Sequence, residues 1–264
     1  MIVPPPLSKV SLKDIDANDK GDTERDAAEE EVIQLRDEMS MLQEKLYASG
    51  EKSLLLVFQA MDAGGKDSTI KKVLSGINPQ GVHVTSFKAP SSEELAHDFL
   101  WRIHAHTPAK GYISVFNRSH YEDVLVVRVD KLAPEAVWRE RYDHINNFEL
   151  LLNDSGTRIL KFYLHIDKDE QKERFQDRLD KPDKHWKFEP ADMKKREQWD
   201  GYMKAYEDIL SKCNTEYAPW HIVPANRKWY RNYVVMKAIV DTMRDMDLHY
   251  PEPPEGLDTV VIPD

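Results

Sequence analysis

The chain has 264 residues, of which 41% are hydrophobic and 32% charged, with a formal net charge of −10. These values are ordinary for a globular protein and allow one large α/β domain. No apolar run is long enough to cross a bilayer, the N-terminus lacks the features of a secretory signal, and the single cysteine, Cys213, excludes an intrachain disulfide. We therefore expect a cytoplasmic protein without a membrane partner.

The negative charge is concentrated at the two ends of the chain. Residues 1–50 contain six Lys/Arg and twelve Asp/Glu, and residues 251–264 contain four acidic residues and no basic one. The segment between them carries 31 bases and 31 acids. The overall charge argues against nucleic-acid binding, but the neutral middle can still form a basic cleft.

The N-terminal 30 residues are rich in proline and then in acidic residues, so we interpret 1–30 as an acidic arm that is loosely attached. The arm could instead pack on a neighbouring subunit, but its composition favours a free tail. From Glu31 to Tyr47 the apolar residues are three or four apart, which predicts an amphipathic helix.

Strands and helices then alternate along one domain, 31–264, which predicts a parallel sheet of about five strands with helices on both faces. Apolar runs predict strands at Ser53–Phe58, Val82–Phe87, Tyr112–Phe116, Arg158–Ile166 and His221–Pro224. The predicted helices are Lys66–Ser75, Glu93–His106, Pro134–Asn153 and Trp229–Met246. The segment from about 167 to 212 is polar, charged and helical, and we interpret it as a lid over the sheet; the alternative is a solvated helical pair.

A phosphate-binding loop follows the first strand, at Gln59–Thr69. A strand, a turn with Gly64 and Gly65, then Lys66 and a helix is the context of a Walker A motif. The glycines let backbone N–H groups face an anion, and the lysine can reach the transferred phosphate. Asp67 stands where the strict motif has Ser or Thr, so Mg²⁺ binding could move to Asp62, or Asp62 could be a base toward the acceptor.

A second polar cluster, Phe116-Asn-Arg-Ser-His-Tyr-Glu-Asp123, follows the third strand. Because the carboxyl ends of parallel strands form the binding edge of such sheets, we expect this cluster beside the loop. Arg118 can clamp a phosphate with its planar fork, although it could instead pair with Asp123. In the predicted lid, Arg174 and Arg178 share one helix face and can stabilise a phosphoryl group in transfer.

Three motifs resemble polyphosphate kinase 2: Gln-Ala-Met-Asp-Ala-Gly-Gly-Lys-Asp (59–67), Phe-Asn-Arg-Ser-His-Tyr-Glu-Asp-Val (116–124) and the C-terminal pair Asn-Thr-Glu-Tyr-Ala-Pro-Trp (214–220) and Pro-Ala-Asn-Arg-Lys-Trp-Tyr-Arg-Asn (224–232). The similarity runs from about Glu31 onward, without the acidic arm. The Tyr121-Glu122 pair and Asn117 resemble class III, whose members accept nucleoside mono- and diphosphates. The alternatives are an ATP-dependent nucleotide kinase on the same fold and a protein that binds polyphosphate without turning it over.

The resemblance implies a three-layer α/β/α P-loop kinase-like fold with a helical lid, and a homo-oligomer, either a dimer or a tetramer. It also implies reversible phosphoryl transfer with Mg²⁺ between inorganic polyphosphate and AMP, ADP or ATP, with GMP and GDP as further candidates. The catalytic residues that we predict are Asp62, Lys66, Arg118, Glu122 and Arg178, and the metal ligands are Asp62 and Glu122. The predicted polyphosphate-binding residues are Ala63, Gly64, Gly65, Lys66, Asp67, Ser68, Lys88, Arg174, Arg178 and Lys181. The predicted nucleotide-binding residues are Asn117, Arg118, Tyr121, Glu122 and Arg128.

Overall fold

The computed structural model describes residues 1–263 and contains one five-stranded sheet in which all strands are parallel. The strands are β1 (Ser53–Gln59), β2 (Val82–Ser86), β3 (Ile113–Asn117), β4 (Thr157–His165) and β5 (Trp220–Pro224), in the spatial order β2-β3-β1-β4-β5. The central strand β1 is buried along its whole length, whereas the edge strand β2 is half exposed. This confirms the predicted sheet and explains why the central strands read as continuous apolar runs.

Within residues 1–263, ten α-helices surround the sheet. They are α1 (Arg25–Ser49), α2 (Lys66–Val73), α3 (Ser92–Leu95), α4 (Trp101–His104), α5 (Val126–Val129), α6 (Glu135–Asp154), α7 (Lys168–Asp180), α8 (Ala191–Glu197), α9 (Trp199–Lys212) and α10 (Lys228–Asp245). On one face of β4, Lys161 contacts Glu149 of α6 and Tyr163 packs on Tyr206 of α9. Helices α1, α2 and α10 pack together as the second helical layer, which gives the α/β/α arrangement. No helix within residues 1–263 is both long and apolar enough to cross a membrane.

The single helix predicted from Glu93 to His106 is wrong, because the structure has two short helices, α3 and α4, in that interval. The side chain of Asp98 accepts hydrogen bonds from the backbone N–H groups of Leu100 (2.9 Å) and Trp101 (3.1 Å). An aspartate that caps the following turn in this way competes with continuation of the preceding helix.

The predicted lid, 167–212, is too long, since α9 belongs to the core. Its side chains Tyr206, Ile209 and Leu210 are fully buried, and Tyr206 stacks against the sheet residue Tyr163 with ring centroids 4.4 Å apart. Because the outer face of α9 is charged, the composition of the segment did not reveal this apolar stripe. Only α7, α8 and the 3₁₀ turn Pro182–Lys187 remain as a candidate lid.

The acidic arm is also not the loose tail that its composition suggests. Ile2 pairs with Ile222 through two backbone hydrogen bonds of 2.9 and 2.8 Å, so the arm covers the outer edge of β5. Val10 and Leu12 are buried, and the backbone N–H of Leu12 donates to Glu207 of α9 at 2.8 Å. Helix α1 begins at Arg25 rather than Glu31. The arm therefore pairs with the middle of the outer edge strand and protects part of that edge.

Candidate active site

The loop between β1 and α2 is tightly wound and has no room for additional side chains. A Cβ added to Gly64 would stand 2.5 Å from the Cβ of Ala60 and 2.7 Å from the carbonyl oxygen of Met61. Gly65 has a φ of 101°, and Ala63 has a φ of 61° although it is not glycine. Left-handed backbone of this kind is held only where the surrounding structure fixes it. The N–H of Gly64 donates to the carbonyl oxygen of Met61 at 2.9 Å, so the N–H groups that could face an anion are those at the start of α2.

Lys66 begins α2 and folds back across the loop. Its Nζ donates to the carbonyl oxygen of Ala60 at 2.9 Å. Burial, followed by the nearby charge of Arg118, lowers the pKa of Lys66, while Asp62 and Glu122 oppose this shift. The ammonium group of Lys66 is therefore held against the loop backbone.

Asp62 is the centre of the charged groups around the loop. Its Oδ1 accepts from Arg118 Nη2 and its Oδ2 from Lys195 Nζ, both at 3.0 Å. Burial alone would raise the pKa of Asp62, but the positive charges of Lys66, Arg118 and Lys195 outweigh it and lower the pKa. Asp62 is thus a stable anion facing three cations.

The structure brings Arg118 to Asp62 and not to Asp123, the internal partner that the sequence left open. Asp123 instead accepts from Arg141 at 2.8 Å. Arg118 has a φ of 61°, so strained backbone at the end of β3 aims this side chain toward the loop. Lys195, in α8, was missed by the sequence analysis because no motif marks it among the many charged residues of that segment.

A cavity of about 500 Å³ opens beside the loop. Its lining includes charged residues from the loop and from the second motif, among them Asp62, Arg118, Glu122 and Lys195, together with Lys88. It also includes apolar residues such as Phe87, Pro90, Leu125, Val126 and Leu132. A space of this size, lined by both charged and apolar groups, suits a small organic ligand that carries a charged group.

The lid cations that were predicted to bind phosphate lie in different places. Arg174 reaches the loop, where it donates to the carbonyl oxygens of Ala63 (3.0 Å) and Ala225 (2.6 Å). Arg178 donates to the carbonyl oxygen of Lys187 at 2.9 Å and lies 3.6 Å from Asp192. The side chain of Lys181 is 56% exposed and pairs with Asp177. Of these three predicted cations, Arg174 is therefore the one whose side chain contacts the loop.

Two residues predicted to bind the nucleotide are placed elsewhere. Arg128 points into α9, where its Nη1 donates to Asp208 at 2.6 Å, and its guanidinium stacks 4.7 Å from the Trp138 ring centroid. Tyr121 is fully buried. Neither side chain lines the cavity in this arrangement, because both pack inside the protein, and their part in nucleotide binding stays a prediction. Asn117 does reach the loop, since its Nδ2 donates to Asp67 at 2.6 Å.

Tyr121 belongs to a buried polar network beneath the second motif. Lys161 Nζ donates to Tyr121 Oη (2.8 Å), to Glu149 Oε2 (2.5 Å) and to the carbonyl oxygen of Cys213 (2.6 Å). His120 Nε2 lies 3.1 Å from Glu149 Oε1. The sequence signal for this network was a lysine inside the apolar strand β4, since a charge there needs a partner. The network holds the 3₁₀ turn His120–Asp123, on which Glu122 stands.

Cys213 lies at the same network and is not suited to be a nucleophile. Its side chain is buried, and burial raises the pKa of the thiol. A thiol in that state has little reactive thiolate at neutral pH. The structure therefore gives Cys213 a structural position at the end of α9.

Comparison with known proteins gives a consistent result. The sequence profile of polyphosphate kinase 2 (PPK2) matches residues 22–251. The AMP/ADP-polyphosphate phosphotransferase of Meiothermus ruber is 50% identical over 259 residues, which cover 97% of each chain. The ADP-polyphosphate phosphotransferase of Rhodopseudomonas palustris is 51% identical over 226 residues, 81% of this chain and 78% of the relative.

A solved structure shows the same fold. The crystal structure of polyphosphate kinase 2 from Arthrobacter aurescens TC1 superposes with a TM-score of 0.93 at 40% identity and covers 98% of this chain and 96% of the other. These matches extend into the acidic arm, which the sequence analysis placed outside the similarity. The length, identity and coverage of these matches show that the chain belongs to the polyphosphate kinase 2 family.

Proposed function

We propose that the protein transfers phosphoryl groups from inorganic polyphosphate to AMP and to ADP, as class III of its family does. The observation that carries the proposal is that the Asp62–Arg118 pair lines a cavity of about 500 Å³ beside the loop at which Lys66 is held. In the reaction, an oxygen of the acceptor's terminal phosphate forms a bond to the last phosphorus of the polyphosphate chain. The bond from that phosphorus to the rest of the chain breaks, and the shortened chain leaves with the electron pair.

The backbone N–H groups at the start of α2 and the Lys66 side chain would bind the donor phosphates, while Arg118 and Glu122 line the cavity where the acceptor would lie. Phosphoryl transfer depends on positioning and on neutralising charge, so these groups supply what the reaction needs. We also propose that α7 and α8 close over the site as a lid and bring Arg178 to the transferred group. In the described arrangement Arg178 is held by Lys187 and Asp192 instead.

We propose Mg²⁺ as the cofactor, bound by Asp62 and Glu122. Among residues 1–263 no cluster of three or more metal-ligating side chains is present. Mg²⁺ bound to phosphates uses only one or two protein carboxylates, so these two residues fit it. The metal would neutralise charge on the phosphate oxygens during transfer. Because the pKa of Asp62 is lowered, we assign it as a ligand and not as a base.

The proposal is tested by incubating the purified protein with Mg²⁺, long-chain polyphosphate and AMP, without ATP, and by following the nucleotides by chromatography. ADP should form first and ATP after it. Lys66→Ala should abolish the reaction, whereas Lys71→Ala, an exposed lysine of the same helix, should leave it unchanged. If polyphosphate is inert and only ATP donates, the protein is an ATP-dependent nucleotide kinase and the proposal fails. If ADP is phosphorylated but AMP is not, the class III assignment fails.

The homo-oligomer and the cytoplasmic location that the family resemblance implies remain part of this proposal. Helix α6 exposes Val137 and Leu151, at 44% and 53% of their surface, and apolar residues of this kind occur in subunit interfaces. Light scattering coupled to size exclusion would determine whether the protein is a dimer or a tetramer. A monomer at micromolar concentration would contradict the expected oligomer.

A further inference from the structure

A buried arginine behind the phosphate-binding loop has an unused hydrogen-bond donor. Arg231, in the first turns of α10, is 1% exposed. Its Nη2 donates to Ser68 Oγ at 3.2 Å and to Asn232 Oδ1 at 3.0 Å, and its Nε donates to the same Asn232 oxygen. Its Nη1 is buried and has no partner. A buried cationic nitrogen without an acceptor is costly, so a ligand that supplies an acceptor there would be bound favourably.

The unpartnered nitrogen is aimed at the loop. A Cβ added to Gly65 would stand 2.0 Å from Arg231 Nη1 and 3.5 Å from Arg174 Nη1. The guanidinium therefore occupies the space that any side chain at position 65 would fill. This gives Gly65 a second function besides its positive φ: the missing side chain lets a cation approach the loop backbone closely.

Two guanidinium groups thus converge on Gly65, and the nearby negative charge is insufficient for both. Glu170 is paired with Arg174 Nε at 2.6 Å, whereas the direct partners of Arg231 are neutral, Ser68 and Asn232. Burial, and then the charge of Arg174, lower the pKa of Arg231 to about 9, so the group still carries its charge at neutral pH. Excess positive charge at an anion-binding turn is the arrangement expected of a site that is completed by its ligand.

We propose that Arg231 is a further phosphate-binding residue of this site, with Nη1 donating to an oxygen of the polyphosphate chain held at the loop. This inference rests on the proposed function, which identifies the bound anion as polyphosphate. Ser68 links the two parts, since its Oγ accepts from Arg231 and donates to the carbonyl oxygen of Gly65 at 2.9 Å. The donor phosphate would then be held from the loop side by backbone N–H groups and from behind by this guanidinium.

The proposal predicts opposite effects on stability and on binding, which a purely structural arginine would not give. Arg231→Met removes a buried charge without an anionic partner, so the protein without ligand should unfold at the same temperature as the wild type or higher. The same variant should need roughly tenfold to a hundredfold more tripolyphosphate for a given rise in unfolding temperature, because one charge-assisted hydrogen bond is lost. Arg231→Lys keeps the charge but loses the planar guanidinium group, so the tripolyphosphate concentration that it needs should lie between those of the wild type and of Arg231→Met.

The experiment is a thermal-unfolding titration with sodium tripolyphosphate in the absence of nucleotide, with potassium sulfate at equal ionic strength as the salt control. Arg227→Gln is the matched variant, since Arg227 lies at the start of the same helix, is exposed and donates only to the carbonyl oxygen of Asn18. It should behave as the wild type. In turnover assays Arg231→Met should raise KM for polyphosphate and leave KM for ADP unchanged.

A lower unfolding temperature for Arg231→Met with a wild-type response to tripolyphosphate would overturn the proposal and leave Arg231 as a structural residue. If Arg231→Met does not fold, the stability argument is wrong. Arg231→Lys then tests binding alone, and an unchanged response to tripolyphosphate would again overturn the proposal. Failure of the proposed function gives a different result: a wild type that responds to tripolyphosphate through Arg231 but transfers no phosphoryl group.

Discussion

Replacing Lys161 by methionine should destabilise the protein strongly, because it leaves a carboxylate buried without its cation. Lys161 and Glu149 both have fully buried side chains, and Lys161 Nζ is 2.5 Å from Glu149 Oε2. Breaking a buried ion pair from one side costs about 3–5 kcal/mol. For a protein of this size that corresponds to a fall of roughly 6–20 °C in unfolding temperature. Urea unfolding at pH 7 would measure the free energy directly.

A double-mutant cycle separates this cost from simple loss of packing. Glu149→Gln keeps an oxygen for His120 and Tyr121, so Lys161→Met combined with Glu149→Gln should be more stable than Lys161→Met alone, with a coupling energy of about 1–3 kcal/mol. Lys110→Met, at an exposed position, is the control and should change stability little. If Lys161→Met costs less than about 1 kcal/mol, or if the two changes are additive, the buried pair is not the stabilising unit described here.

The network should also affect activity, because Tyr121 and His120 lie in the same 3₁₀ turn as Glu122. Lys161→Met should therefore lower kcat at temperatures where the variant is still folded. A folded variant with wild-type kcat would show that the turn keeps its position without the network. That result would mean that the network contributes to the stability of the fold but not to catalysis.

Three further predictions concern the site and the core. Glu122→Asn should reduce AMP phosphorylation at least about tenfold more than ADP phosphorylation, since its carboxylate faces the acceptor cavity; equal losses on both acceptors would refute this. Lys195→Met should lower the Mg²⁺ concentration for half-maximal activity about fivefold, because it removes a cation 3.0 Å from Asp62 Oδ2 that competes with the metal ion. An unchanged or higher Mg²⁺ concentration would show that Lys195 does not compete with the metal for Asp62. Burial lowers the pKa of His221 to about 4, so between about pH 6.5 and 4 this histidine is protonated in the unfolded chain but not in the folded protein. This group should therefore lower the free energy of unfolding by about 3 kcal/mol as the pH decreases from about 6.5 to 4. In urea unfolding, His221→Gln should show a smaller loss of stability over that range.

The sheet and the loop could be predicted from the sequence because their signals are local. A strand that is buried on both faces must be apolar throughout, as Leu54–Phe58 is, and the loop carries its glycines and lysine within a few residues. The boundaries between helices were harder to predict. Asp98 lies between the two short helices and accepts hydrogen bonds from the backbone N–H groups at the start of the second, which apolar spacing does not reveal.

The parts that could not be predicted depend on contacts between residues far apart in the chain. Tyr121 lies in the second motif beside Glu122, yet it faces the buried Lys161 while Glu122 faces the cavity. Membership of a motif therefore did not reveal the direction of the side chain. The arm gave the same difficulty, since its acidic composition concealed the few apolar residues, Val10 and Leu12, that attach it to the core.

Asp62 shows how the charges of this site would change when substrates bind. Its two oxygens are now paired with Arg118 and Lys195, so a metal bound there must replace at least one of these cations. Lys195 is the one that can leave, because it stands on α8, outside the core, whereas Arg118 is held by strained backbone at the end of β3. When Lys195 leaves Asp62, it is free to face the phosphates that arrive with the metal. The same side chain would therefore pair with Asp62 before substrates bind and contribute charge to the phosphates afterwards, which would link the proposed closure of α8 to occupancy of the loop.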